Sequence, residues 1–170
     1  PMWLKAFLRI NGVELNVVGK DNLWRQRPAV FIFNHRNGYD PWMAAAMLER
    51  DFSVVAKKGI ESNWLMGPIG KLTNMAFIDR DNPRAAVEAL KPMEDMLRQG
   101  ISALIAPEGT RYDTQQVGPF KKGPFRMAMS AQVPVVPIVF RNAEMVAARD
   151  AATLCPGTVD VAVLPPIDVC

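Results

Sequence analysis

The chain contains one histidine, His35, and five positions beyond it an aspartate, Asp40. Acid–base chemistry near neutral pH needs a group that titrates there, and imidazole is the side chain that does so unperturbed. His35 follows the apolar run Ala29 to Phe33, and Asp40-Pro41 opens a stretch rich in alanine and methionine that reaches Leu48. The first reads as a buried strand and the second as a helix start. Between them Arg36-Asn37-Gly38-Tyr39 is short, and Gly38, free to take a positive φ, lets the loop fold the carboxylate back onto the imidazole. A plainer account has Asp40 capping the helix, with Pro41 in its first turn, and His35 as an ordinary strand-end residue. Histidine and aspartate five apart also meet by chance, so the spacing alone leaves both accounts open.

The elements that must position this pair repeat along the chain. Val13 to Val18 alternates as a strand does, and Phe52 to Ala56, Met75 to Ile78, Ile101 to Ala106, Val135 to Phe140 and Val159 to Leu164 are further short β-favouring runs. Between them, Asn82-Pro83 opens a helix that continues to Gly100 with Ala86, Leu90, Met93 and Leu97 as its apolar stripe and Pro92 as a kink, and Phe120 to Pro124 precedes a second helix that runs through Ala131. Strands alternating with helices predict an α/β fold, a single domain with a largely parallel central sheet flanked by helices. Open sheets of this kind gather ligand groups at the carboxyl ends of their strands. There His35 follows one strand, Lys57 another, Arg80 a third, and Glu108 to Arg111 a fourth. Each has an ordinary surface explanation; their recurrence at equivalent places is what points to one crevice.

Composition sets the outer bounds. A chain of 170 residues that is 49% hydrophobic and 22% charged has material for a real core, and its formal charge of +3 does not call for nucleic acid. Cys155 and Cys170 lack metal-ligand spacing and read as reduced thiols of a cytosolic protein, and no metal site is expected. No apolar run is long enough to span a bilayer, and no secretory leader opens the chain, although a start at Pro1 is compatible with a piece cut from a longer protein. Residues 1–12 include Met2 to Ile10, apolar except for Lys5 and Arg9 on one helical face, which suits either an interfacial helix or a helix packed on the core. Trp64 to Gly70, apolar but broken by glycine and proline, reads as a buried turn, a lid or a membrane-facing loop.

Taken in order, these residues resemble the glycerolipid acyltransferases of the lysophosphatidic acid acyltransferase type. Asn34-His35-Arg36-Asn37-Gly38-Tyr39-Asp40 resembles the first block of that family, histidine, four residues, aspartate; Phe77-Ile78-Asp79-Arg80 resembles the second. Pro107-Glu108-Gly109-Thr110-Arg111 resembles the third and most diagnostic block, and Val133-Pro134-Val135-Val136-Pro137-Ile138 the fourth; Ala56-Lys57 and Phe120-Lys121-Lys122-Gly123 are also similar to family features. Where the family commonly has a serine two residues past the histidine, this chain has Asn37, a departure that bears on acceptor preference.

The resemblance implies an acyltransferase domain over residues 1–170 that moves an acyl group from acyl-CoA or acyl carrier protein to the hydroxyl of a lysophospholipid, foremost 1-acylglycerol 3-phosphate. It implies His35 as base, Asp40 as its orienting partner, Arg111, Arg80 and Lys57 on the acceptor phosphate, and Glu108, Gly109 and Thr110 as support. No cofactor is implied beyond the acyl donor, and peripheral attachment at the cytoplasmic face of the cell membrane is. Two other readings stay open: a different lysophospholipid or glycolipid acceptor, and a non-catalytic module whose cations bind anionic headgroups. A hydrolase is disfavoured, because the chain lacks a Gly-x-Ser-x-Gly elbow and neither cysteine stands in a nucleophile context.

Overall fold

A computed structural model describes residues 2–60, 75–78, 83–112 and 116–169. Among these residues seven strands form one sheet: β1 (Val13–Val18), β2 (Val30–Phe33), β3 (Phe52–Lys57), β4 (Ala76–Ile78), β5 (Ser102–Ile105), β6 (Val135–Arg141) and β7 (Gly157–Val163). Their spatial order is β1-β7-β6-β2-β5-β3-β4, and every neighbouring pair is parallel except β6 with β7. Every strand foreseen from the sequence is present, within a residue or two at each end. The reversal at β7 was not foreseen, because pairing direction depends on partners distant in sequence.

Among the described residues the helices are α1 (Met2–Ile10), α2 (Asn22–Arg25), α3 (Asp40–Leu48), α4 (Pro83–Arg98), α5 (Gly123–Ala131) and α6 (Ala143–Val146), with a 3-10 turn at Lys58–Ile60. Helix α4 continues through Pro92. The single-turn helices α2 and α6 escaped the sequence reading, since four residues carry no periodicity to detect.

Strand pleating sends alternate side chains to opposite faces, so the sheet has a core on each side. Phe31 and Phe33 of β2 join Leu104, Val136, Ile138 and Phe140 beneath α1, α3 and α6. Val30 and Ile32 of the same strand join Ala103, Ile105 and Val135 beneath α4 and α5, where Leu90, Met93 and Leu97 supply the expected stripe. The result is a three-layer α/β/α arrangement. Because β2 is buried on both faces, four consecutive large apolar residues are accommodated in it.

Helix α1 packs on α3, burying Leu4 and Leu8, while the Trp3 and Phe7 rings meet Trp42 at 6.0 and 5.8 Å. Lys5 binds Glu49 at the far end of α3, and that hydrogen bond holds the Glu49 carboxyl below its ordinary range. The helix is therefore docked on the core, yet its other face leaves Met2, Trp3 and Ile10 exposed. Trp64 to Gly70, considered above as a lid or turn, lies outside the described residues.

Candidate active site

The site is assembled at the carboxyl end of β2, starting from Asn34. Its side chain takes the place of a strand backbone: Nδ2 donates to the Phe140 carbonyl at 2.9 Å and Oδ1 accepts from the Phe140 N–H at 2.7 Å. This extends the β2–β6 ladder one step past its last paired residues, Phe33 and Ile138, and fixes where the chain turns away. The next N–H, that of His35, donates to Glu108 Oε1 at 2.8 Å. The other carboxylate oxygen of Glu108, a residue only 2% exposed, accepts from the Gly118 N–H at 2.7 Å. Glu108 follows β5, the parallel neighbour of β2, so one buried carboxylate ties two adjacent strand ends and the 116–118 segment together. A Cβ on Gly118 would sit 2.1 Å from the Tyr112 ring, so any larger residue there would have to displace that side chain.

Asp40 is the first residue of α3 and is fully buried. Its Oδ2 accepts from His35 Nδ1 at 3.1 Å, from the Asn37 N–H at 2.7 Å and from the Arg36 N–H. Its Oδ1 has no hydrogen-bond partner among the described residues. The carboxylate thus faces back into the loop; the alternative in which it caps its own helix is not what the structure shows, the residue at the cap being Tyr39. A carboxylate oxygen only accepts, so its bond to Nδ1 selects, in the neutral ring, the tautomer with the proton on that nitrogen and the lone pair on Nε2. The imidazole packs edge-on to Phe33, with ring centroids 5.7 Å apart, and its side chain is 13% exposed. It is firmly seated yet open on one side.

The loop between histidine and aspartate closes without the positive φ expected of Gly38, which is not among the residues in that region. Asn37 does the shaping. Fully buried, it donates to the carbonyls of Ala143 at 2.8 Å and Ala147 at 3.2 Å and accepts from the Tyr39 N–H at 2.8 Å. A serine could not span both carbonyls with one hydroxyl proton, so the departure from the family pattern has a structural consequence. Tyr39 Oη donates to the Ala152 carbonyl at 2.6 Å. These anchors to α6 and the segment after it, more than 100 residues away, had no signal in the local sequence.

Arg111 reaches the same loop from beyond β5. A Cβ added to Gly38 would lie 3.9 Å from Arg111 Nη1, which places the guanidinium against the turn between His35 and Asp40. Nη1 donates to the Arg149 carbonyl and Nη2 pairs with Asp150 Oδ1 at 3.1 Å. Gly109 takes φ +70° in the preceding turn, a backbone form that glycine adopts without strain, and the Lys121 stem passes over it. Thr110 is exposed at that turn, and Lys57 is exposed at the end of β3, on the same sheet edge. Arg80 lies outside the described residues, two positions beyond β4. Among the described residues no group of three or more histidine, cysteine, aspartate or glutamate side chains is placed to hold a metal ion.

Comparison with known proteins gives these features a context. The family model described as Acyltransferase matches residues 14–141. A probable 1-acyl-sn-glycerol-3-phosphate acyltransferase of Mycoplasma pneumoniae is 33% identical over 79% of this chain and 52% of its own length. The 1-acyl-sn-glycerol-3-phosphate acyltransferase of Saccharomyces cerevisiae is 30% identical over 92% of this chain and 52% of its own, and the human beta form is 30% identical over 95% and 59%. The chain therefore spans little more than half the length of these curated relatives. In fold it is similar to the crystal structure of the 1-acyl-sn-glycerophosphate acyltransferase PlsC of Thermotoga maritima, with a TM-score of 0.84 at 23% identity over 99% of this chain and 67% of that one. With residues 14–141 matched by the family model, the chain belongs to the acyltransferase family.

Proposed function

We propose that this chain is the acyl-transferring domain of a 1-acylglycerol-3-phosphate O-acyltransferase. The observation that carries the reading is the His35–Asp40 pair, an imidazole bound at 3.1 Å to a wholly buried carboxylate and flanked by Arg111 across Gly38. The names of the sequence relatives supply the acceptor class.

The reaction joins an alcohol to a thioester. His35 Nε2 takes the proton of the acceptor hydroxyl as its oxygen attacks the thioester carbonyl, and Asp40 holds the resulting imidazolium through Nδ1–H. The tetrahedral oxyanion collapses, the carbon–sulfur bond breaks, and the thiolate of coenzyme A or of a carrier-protein phosphopantetheine leaves. The proton on His35 passes to that thiolate, which restores the neutral imidazole. Thiolate is a good leaving group, so no separate acid and no acyl-enzyme are needed.

In this proposal Arg111, Arg80 and Lys57 receive the acceptor phosphate: guanidinium forks match phosphate oxygens two at a time, and a lysine adds a point charge. Glu108, Gly109 and Thr110 form the supporting turn. The protein works as a peripheral protein at the cytoplasmic face of the membrane. Supporting that placement, α1 leaves Met2, Trp3, Arg9 and Ile10 exposed, and Trp3 packs on Trp42, two residues past Asp40. No helix among the described residues is long and apolar enough to cross a bilayer.

A thiol-release assay with acyl-CoA and a panel of lysophospholipid acceptors tests the reading. His35→Ala should lower kcat by at least about 10²- to 10⁴-fold while the circular dichroism spectrum and liposome binding persist. Unimpaired turnover in a folded His35→Ala protein would remove His35 as the base, whereas no thiol release from the wild type with any acceptor, beside intact liposome binding, would leave the headgroup-binding module.

A further inference from the structure

We propose that Asp150 is an acceptor-selectivity residue: it occupies the Arg111 fork that the acceptor phosphate must enter, and so weakens the hold on phosphomonoester acceptors. The inference rests on Arg111 being a phosphate ligand, as set out above, and goes beyond it by naming what competes for that ligand.

Three side chains of the two motif loops reach the same ten-residue segment, 143–152. Asn37 holds its beginning through the Ala143 and Ala147 carbonyls, Tyr39 holds its end through the Ala152 carbonyl, and Arg111 holds Arg149 and Asp150 between them. Asp150 is therefore carried on a strap whose backbone is held on both sides. The carboxylate itself is 75% exposed and Arg111 32% exposed, which leaves the pair open to solvent and to an incoming anion.

Charge decides the consequence. A guanidinium has five N–H donors, of which the strap engages Nη1 and Nη2. A phosphomonoester, close to a dianion at neutral pH, must either displace the Asp150 carboxylate or bind beside it against like-charge repulsion. An acceptor without that charge meets no such obstacle. Asp150 thus acts on acceptor binding and leaves the proton transfer at His35 untouched.

The test compares steady-state kinetics of the wild type, Asp150→Asn and Arg111→Gln with lysophosphatidate as acceptor, and inhibition of each by inorganic phosphate. Asp95→Asn, which removes the same charge from an exposed pair with Arg98 on α4, controls for net charge. Asp150→Asn should lower the acceptor KM and the phosphate Ki by about two- to fivefold, the range of an exposed pair, with a smaller change in kcat. The gain should shrink as salt rises. An unchanged or raised KM and Ki in Asp150→Asn, or an equal gain in Asp95→Asn, would overturn the assignment of Asp150. If Arg111→Gln leaves both constants unmoved, Arg111 is not the phosphate ligand and the underlying reading fails instead.

Discussion

Glu108 illustrates how one residue can govern a site without touching a reactant. Its two oxygens accept from two backbone N–H groups on different segments, and it is almost fully buried. Glutamine is nearly the same shape but can accept with only one of its two terminal atoms; the other would present N–H to N–H. Glu108→Gln should therefore cost about 1–3 kcal/mol, the penalty of an unsatisfied buried donor, seen as a lowered denaturation midpoint. Because the lost bond positions the His35 backbone, kcat should fall with stability while the acceptor KM moves less. A variant with full kcat and a lowered midpoint would reduce Glu108 to a fold residue. The His35–Asp40 pair was legible in the sequence because a strand and a helix bracket it so closely. The role of Asn37 was not, since its partners Ala143 and Ala147 are close only once β6 has crossed the sheet.

At the scale of elements, α1 separates two expectations that the sequence held in balance. Spacing placed Lys5 and Arg9 together on one face, but the remaining residues suited lipid and core alike. The structure shows the core claim: Leu4 and Leu8 are buried against the domain, and Phe7 leans on Trp42. Leu8→Ala should then destabilise the domain by about 2–5 kcal/mol in chemical denaturation without membranes present. A midpoint unchanged by that substitution would mean that α1 is an appendage. Strands were the most legible elements, each a short apolar or alternating run. The reversal of β7 and the one-turn helices were hidden, because antiparallel pairing and single turns are decided by tertiary neighbours and leave no period in the chain.

At the scale of the whole molecule, the same edge of one sheet collects an imidazole, its buried carboxylate partner and cations from segments spread over much of the sequence. That gathering follows from parallel strands returning through helices on both faces, and it is why separate weak signals in the chain coincide in space. Asp40 links this edge to the interior, since it opens α3, a helix whose remaining residues are nearly all buried between the sheet and α1. The N–H groups of Arg36 and Asn37 both end on that carboxylate. A four-residue surface turn would ordinarily trade its amide hydrogens with solvent through small local openings. Here release of either one requires the helix mouth to give way, so in heavy water these two protons should be lost about as slowly as those of the α3 backbone, and the turn between His35 and Asp40 should rank among the most durable parts of the protein.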